Sequence, residues 1–174
     1  FEQKIYVSTD FGIVQFDVAS YEFGDTYFIG NVGAEISVQQ ITVFGGNIYA
    51  ATKHNGIRFA PISHPNLINY SVWNEVQGGW FVGVSSVDNM LIAADNNGGL
   101  QRYNGVNFQF FQNAGGAILD VRSAESYLIS TTSTKVQVYN AQGVVVQTID
   151  TNVIDEFDLK FTCATVIGTN VYVG

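Results

Sequence analysis

Three aspartates are the residues of this sequence best suited to acid–base chemistry. Asp10 and Asp95 each come just after a short apolar segment, and Asp120 lies inside another such segment. Paired carboxylates can divide the acid and base roles of glycan hydrolysis or of a lyase reaction. The positions that we match to Asp10 and Asp95 in similar segments hold Lys53 and Thr132, so the acid does not recur. We therefore expect no catalytic set, and a hydrolase or lyase that uses these acids stays an alternative.

Histidine and cysteine are too sparse to indicate a metal site. His54 and His64 are the two histidines, and no carboxylate lies at a spacing that would complete a ligand set with them. No Gly-x-Ser-x-Gly segment supplies a serine nucleophile. Cys163 lies in a segment rich in Thr, Ala and Val, which predicts a buried and unreactive thiol in a strand. We expect ordinary loop roles for both histidines and neither a metal nor a cofactor.

Two acidic segments carry the oxygen ligands that hard cations prefer. Residues 95–99 read Asp-Asn-Asn-Gly-Gly, and Asp155, Glu156 and Asp158 form a second cluster. The first segment lacks the ligand order and the closing Glu of an EF-hand, whereas Asn and Gly suit a tight turn. We expect a hairpin turn at 95–99. For the second cluster, a cation site and a solvated connection between repeats both stay open.

Aromatic side chains supply the remaining candidate chemistry, which is stacking on a ligand. Aromatic residues in sheets more often pack one sheet against the next, but an exposed ring can hold a sugar. Trp80 follows Gly78 and Gly79, which favours its exposure. We select Trp73 and Trp80 as candidate binding residues from a larger aromatic set: Tyr70, Trp73, Trp80, Phe81, Phe108, Phe110 and Phe111.

Composition narrows the class of protein. The 174 residues include 15 acidic and 7 basic side chains, for a formal charge of −8, and 47% are hydrophobic. So much apolar content excludes a disordered acidic tail, and so few cations argue against a nucleic-acid partner. A single cysteine excludes an internal disulfide framework. No apolar run approaches the roughly 18 residues of a membrane-spanning helix.

The elements that must position these residues repeat about every 43 positions. Similar apolar triplets begin at Ile5, Ile48, Leu91, Leu128 and Val171, at spacings of 43, 43, 37 and 43. The first four are each followed by a second apolar segment that ends on an aromatic residue, and the one at 56–59 is a residue short, which indicates an altered turn or bulge. Apolar residues do not recur at helical spacing, and β-branched and aromatic residues dominate.

Four short antiparallel strands per repeat indicate a β-propeller blade, whereas a sandwich or barrel does not explain the 43-residue offset. We predict an all-β chain forming a single β-propeller region over 1–174, with about four four-stranded blades. The expected blades are 4–30 (partial), 36–76, 80–113, 117–150 and 158–174 (partial). Within the third, Asn104-Gly105 predicts a two-residue type I′ turn.

The two ends of the chain admit two architectures. Pairing of 158–167 with 4–9 would close a four-bladed ring but would leave 170–174 surplus. That surplus strand and a first residue other than Met favour an arc or fragment of a larger propeller.

Several segments resemble a known family. Residues 22–30, 48–52 and 65–73 resemble segments of PorZ-type proteins, and 99–103 resembles the propeller repeat of two-component regulators. The resemblance implies a component of the type IX secretion system, which is exported and displayed at the outer membrane. It also implies work in the attachment complex that joins cargo to anionic lipopolysaccharide beside a separate sortase. Family members carry larger propellers and a C-terminal sorting domain.

We accordingly expect a non-enzymatic interaction module of a cell-surface secretion protein. Its expected partners are attachment-complex proteins, and lipopolysaccharide or another envelope glycan. The alternatives are the glycan hydrolase or lyase already named and a ligand-sensing domain of a hybrid two-component regulator.

Overall fold

The computed structural model of the chain describes residues 3–154 and 159–174, which contain seventeen β-strands in five antiparallel sheets. The strands of the first two sheets are β1 (Lys4–Thr9), β2 (Gly12–Asp17), β3 (Glu22–Tyr27), then β4 (Val38–Phe44), β5 (Asn47–Thr52), β6 (Ile57–Pro61) and β7 (Asn74–Gln77). Short 3-10 turns lie at Asn31–Gly33, Tyr70–Val72 and Thr151–Val153.

The remaining sheets continue the same order. The third has β8 (Phe81–Val87), β9 (Met90–Asp95), β10 (Gly99–Tyr103) and β11 (Phe108–Asn113). The fourth has β12 (Ile118–Ala124), β13 (Tyr127–Thr132), β14 (Lys135–Tyr139) and β15 (Val145–Asp150). The last has β16 (Ala164–Ile167) and β17 (Asn170–Val173). Three four-stranded meanders, each with sequential strands adjacent, confirm the predicted β-propeller blades.

Burial falls from the second strand of each blade to the fourth. Strands β5, β9 and β13 are buried on both faces along almost their whole length. The fourth strand β15 has no buried residue and three exposed ones, and β3 at the equivalent place in the first sheet has four exposed residues. A strand covered on both faces needs apolar residues without alternation, and this explains the apolar triplets that carry the repeat.

The chain forms two compact units, residues 1–81 and 82–174. The core of the first is built around buried Ile13, Tyr27, Ile48 and Trp73. The second holds two clusters, one around Ile92 and Leu128 and the other around Ile129, Val138 and Phe161. No helix in the part of the chain that the structure describes is long and apolar enough to cross a membrane.

Three local predictions were wrong. The hairpin in the third sheet has a four-residue loop, 104–107, because Tyr103 pairs with Phe108 and Asn104 Oδ1 accepts hydrogen bonds from the backbone of Val106 and Asn107. The first strand of the last repeat, expected over 158–167, spans Ala164–Ile167 in the described residues and pairs with β17. Cys163 therefore precedes that strand and is only half-buried.

Candidate functional site

Asp95 occupies a turn position that the structure repeats in four sheets. It is the last residue of β9, and the last residues of β1, β5 and β13 are Thr9, Thr52 and Thr132. Each threonine Oγ1 donates to a backbone carbonyl at the start of the next strand, over 2.7–3.1 Å. Asp10 and Lys53 come one residue later, so Asp95 matches the threonines and not Asp10.

Both oxygens of the Asp95 carboxylate accept hydrogen bonds near its own turn. Oδ1 accepts hydrogen bonds from the backbone N–H of Asn97 (2.8 Å) and Gly99 (2.9 Å), and Oδ2 accepts one from Gln101 Nε2 (3.1 Å). These bonds close the hairpin between β9 and β10, with Gly98 at φ +89°. Residues 95–99 thus form the expected Gly-rich hairpin turn, held by an Asp side chain.

The other two candidate acids are also engaged in bonds within their own surroundings. The exposed Asp10 carboxylate accepts a hydrogen bond from Ser37 Oγ (2.9 Å). In β12, Asp120 Oδ2 accepts one from Arg122 Nε (2.6 Å), and this bond raises the pKa of the Arg122 guanidinium above its usual value. Asp95 and Asp120 lie in different sheets.

The two histidines lie in separate loops of the first unit. His64 Nδ1 accepts a hydrogen bond from the backbone N–H of Asn66 (3.1 Å) in the loop after β6. His54 is exposed in the turn between β5 and β6, with φ +77°. Its ring lies against Trp80, with 4.6 Å between the ring centroids.

An exposed aromatic and cationic surface therefore forms around Trp80, and we call Lys53, His54 and Trp80 the Trp80 surface. The Trp80 side chain is 37% exposed. Lys53 Nζ lies 5.6 Å from the centroid of its ring, within the range of a cation–π contact. The neighbouring Gly78 and Gly79 are exposed and have no side chains with which to cover the ring.

Trp73, the second candidate binding residue, lies in the core. It is 4% exposed, its Nε1 donates to the carbonyl of Leu67 (2.9 Å), and its ring lies 6.3 Å from that of Tyr27. Of the wider aromatic set, Phe81 and Phe108 are buried, while Tyr70 and Phe110 are exposed. The structure thus leaves Trp80 as the exposed member of the selected pair.

Sequence reasoning missed a polar pocket of about 260 Å³ in the first unit, which we call the Tyr27 pocket. One wall comes from Tyr6, Gln15, Asp25 and Tyr27 of the first sheet, and the other from the loop after β6 with His64. The Tyr27 hydroxyl donates to Gln15 Oε1 over 2.6 Å. Gln15 and Tyr27 are 8% and 3% exposed, so this polar pair is nearly buried.

A β-bulge shapes that wall. The pairing of β2 with β3 shifts between Val14 and Phe16, which places Gly24 and Asp25 beside Gln15. A Cβ at Gly24 would lie 2.9 Å from Gln15 Nε2, so glycine leaves room for the amide. In the sequence, this part of the first sheet stood out only because segment 22–30 resembles PorZ-type proteins.

The Tyr27 hydroxyl should lose its proton at a higher pH than an ordinary tyrosine does. Burial, with Tyr6 and Asp25 nearby, raises its pKa from 10.0 to about 12. The unfolded chain loses this proton near pH 10, whereas the folded chain keeps it, so stability should fall as the pH rises from 10 through 12. We expect a spectrophotometric titration of wild type minus Tyr27→Phe to isolate a phenolate appearing near pH 12. A difference titrating near pH 10 would contradict this placement.

No group of three or more metal-ligating side chains occurs within residues 3–154 and 159–174. Asp155, Glu156 and Asp158 of the candidate acidic cluster lie outside the described residues.

Comparison with known proteins agrees with these blades. Residues 1–74 match the family model described as the type IX secretion system PorZ N-terminal β-propeller domain. The structure of PorZ from Porphyromonas gingivalis is similar over 98% of this chain and 22% of that protein, with a TM-score of 0.73 and 10% identity. No curated protein sequence matches the chain.

Other solved structures share the fold at similarly low identity. BamB from Moraxella catarrhalis covers 98% of this chain with 51% of its own length, at a TM-score of 0.63 and 13% identity. The computationally designed protein Ika8 covers 100% of it with 53% of its own length, at a TM-score of 0.68 and 9% identity. Such identities show the fold alone, and the chain spans about half or less of each of these proteins. The resemblance to PorZ-type proteins is thereby confirmed over residues 1–74, and the chain as a whole shares the β-propeller fold.

Proposed function

We propose that this chain is a non-enzymatic interaction module of the type IX secretion system. In this role it is exported, associates with the cell surface and binds attachment-complex proteins or envelope lipopolysaccharide. The observation that carries the proposal is the match of residues 1–74 to the N-terminal propeller of PorZ, which is described as a bacterial surface component of that system.

The Trp80 surface is the part of the first unit best suited to contact a partner. Tryptophan is enriched among the residues that dominate binding energies, because one rigid ring supplies a large contact area. Here the ring is partly exposed, is flanked by His54 and Lys53, and follows two exposed glycines. A basic and aromatic surface on a chain of charge −8 suits an acidic segment of a partner or an anionic glycan.

The contacts of the candidate acids support a non-enzymatic role of the chain better than a catalytic one. A general acid or base must reach its substrate with a free oxygen. Both oxygens of Asp95 accept hydrogen bonds inside its turn, and Asp120 is paired with Arg122. These contacts favour structural roles for both residues.

Affinity capture from envelope extracts of a bacterium with a type IX secretion system tests the proposal. We expect the immobilised chain to retain secretion-system proteins, identified by mass spectrometry, or lipopolysaccharide, detected on gels. Trp80→Ala should lose most of that material. Phe110→Ala is the matched control, because it removes a 72% exposed aromatic ring elsewhere. Recovery of neither class by the wild type would overturn the proposal.

A further inference from the structure

The Tyr27 pocket presents hydrogen-bond donors and acceptors side by side. Gln15 Oε1 already accepts from the Tyr27 hydroxyl, so the Gln15 amide group has its donors left for a ligand. His64 Nδ1 accepts from the backbone of Asn66, which places the proton of the neutral imidazole on Nε2 as a second donor. The Asp25 carboxylate is exposed and acts as an acceptor.

This combination suits hydroxyl groups, because each hydroxyl both donates and accepts. A carboxylate ligand would use the donors and be repelled by Asp25, while an ammonium would use Asp25 and meet the Gln15 and His64 donors. Lys4 also lines the pocket, so the formal charges of Lys4 and Asp25 cancel. The lining therefore favours a neutral ligand that carries several hydroxyls.

The size of the pocket and the rigidity of its wall restrict further which ligands can bind. At about 260 Å³ the pocket lies below the range of roughly 300–1,000 Å³ that is typical for drug-sized ligands, so it suits one ring. The half-buried Tyr6 ring, which lies 6.3 Å from the nearly buried ring of Tyr27, adds an aromatic surface against which the apolar face of a sugar ring can pack. The buried Gln15–Tyr27 hydrogen bond holds the polar groups of this wall in place.

We propose that the Tyr27 pocket binds a single neutral sugar ring. In this site Asp25 accepts hydrogen bonds from the sugar hydroxyls, and the Gln15 amide and His64 Nε2 donate to them. The pocket does not include the Trp80 surface, so this inference does not rest on the partner binding proposed there.

Titration of the full chain with methyl glycosides of glucose, galactose, mannose and N-acetylglucosamine, followed by calorimetry and protein NMR, tests this. We expect saturable binding of at least one glycoside, with resonances of Gln15 and Tyr27 shifting. Asp25→Asn and His64→Ala should each weaken that binding about tenfold or more, because the first replaces a charged acceptor with a neutral amide that has one acceptor oxygen and the second removes a donor.

Matched variants separate the pocket from general effects. Glu22→Gln removes another exposed carboxylate of β3, and Gln109→Ala removes an exposed polar side chain of β11; both should leave the affinity unchanged within about threefold. Circular dichroism and thermal unfolding should show all four variants folded. The proposal is overturned if no glycoside binds, if free glycine or acetate binds in preference, or if Asp25→Asn and His64→Ala bind as tightly as their controls. Because Trp80→Ala leaves this pocket intact, partner capture and sugar binding succeed or fail independently.

Discussion

Gly56→Ala is expected to lower the free energy of unfolding of the first unit by about 3 kcal/mol or more. Gly56 has φ +72°, and a Cβ there would overlap the carbonyl oxygen of Gln77. Its backbone N–H also donates to the carbonyl of Gly79 over 2.8 Å, so the two segments cannot separate without losing that bond. Alanine must therefore bear a left-handed backbone and push strand β6 away from the end of β7.

Gly46→Ala is the matched control. Gly46 has φ +77° in the hairpin between β4 and β5, and a Cβ there would meet no atom within 4 Å. Alanine at this position bears only the cost of a left-handed backbone, so we expect the free energy of unfolding to fall by about 1 kcal/mol. Urea unfolding followed by tryptophan fluorescence measures both, since Trp73 and Trp80 both belong to residues 1–81. Equal losses for the two variants would show that the contact with Gln77 is not what requires glycine.

The same close approach explains why part of the fold could be predicted. Gly12 and Gly98 hold the equivalent turns of the first and third sheets, where a Cβ would overlap the carbonyls of Tyr27 and Gly116. Gly12 and Gly56 open the apolar segment that ends on an aromatic residue, and Gly98 directly precedes it, so a steric requirement of the blade recurs in the sequence at spacings of 44 and 42 residues. That recurrence, with the doubly buried second strand, was enough to predict an all-β chain of four-stranded antiparallel blades.

Hydrogen bonds of local side chains and β-bulges determine those features of the fold that the repeat pattern did not predict. The Asn104 side chain lengthened a hairpin expected to turn in two residues, because it caps two backbone N–H groups of the loop. The irregularity expected at 56–59 is present as a register shift between Ile57 and Arg58. Comparable shifts between third and fourth strands occur in the first, third and fourth sheets as well. The bulge is thus a feature of the blade and not of one shortened segment.

The candidate site was predicted only in part, because its residues are ordinary by type. Gln15 and Tyr27 look like alternating strand residues, and the pocket exists because a bulge and a loop about forty residues away meet there. Asp95 was mismatched with Asp10, since a turn-closing Asp and a turn-closing Thr share a role but not a residue type. Trp80 was placed by its preceding glycines, whereas nothing in the sequence separated Trp73 from an exposed aromatic.

Truncation to alanine should lower the stability of the first unit strongly at Trp73 and little at Trp80. We expect Trp73→Ala to lower the free energy of unfolding of the first unit by about 3–5 kcal/mol, because it leaves a cavity beside Tyr27 and removes the bond to the Leu67 carbonyl. Such a loss is comparable to the whole stability of a small unit. Trp80→Ala should change stability by no more than about 1 kcal/mol, since it removes an exposed ring and a cation–π contact with Lys53.

Each variant keeps one tryptophan, so fluorescence-detected urea unfolding measures both against the wild type. Trp73→Phe refines the comparison: a ring retained in the core without the indole N–H should recover more than half of the stability lost in Trp73→Ala, while leaving the Leu67 carbonyl without its donor. Partner capture should follow the reverse order, with Trp73→Phe retaining it and Trp80→Ala losing it. If Trp73→Phe abolished capture while the chain stayed folded, the buried residue would have to act in recognition, and the division of the two tryptophans into packing and binding would fail.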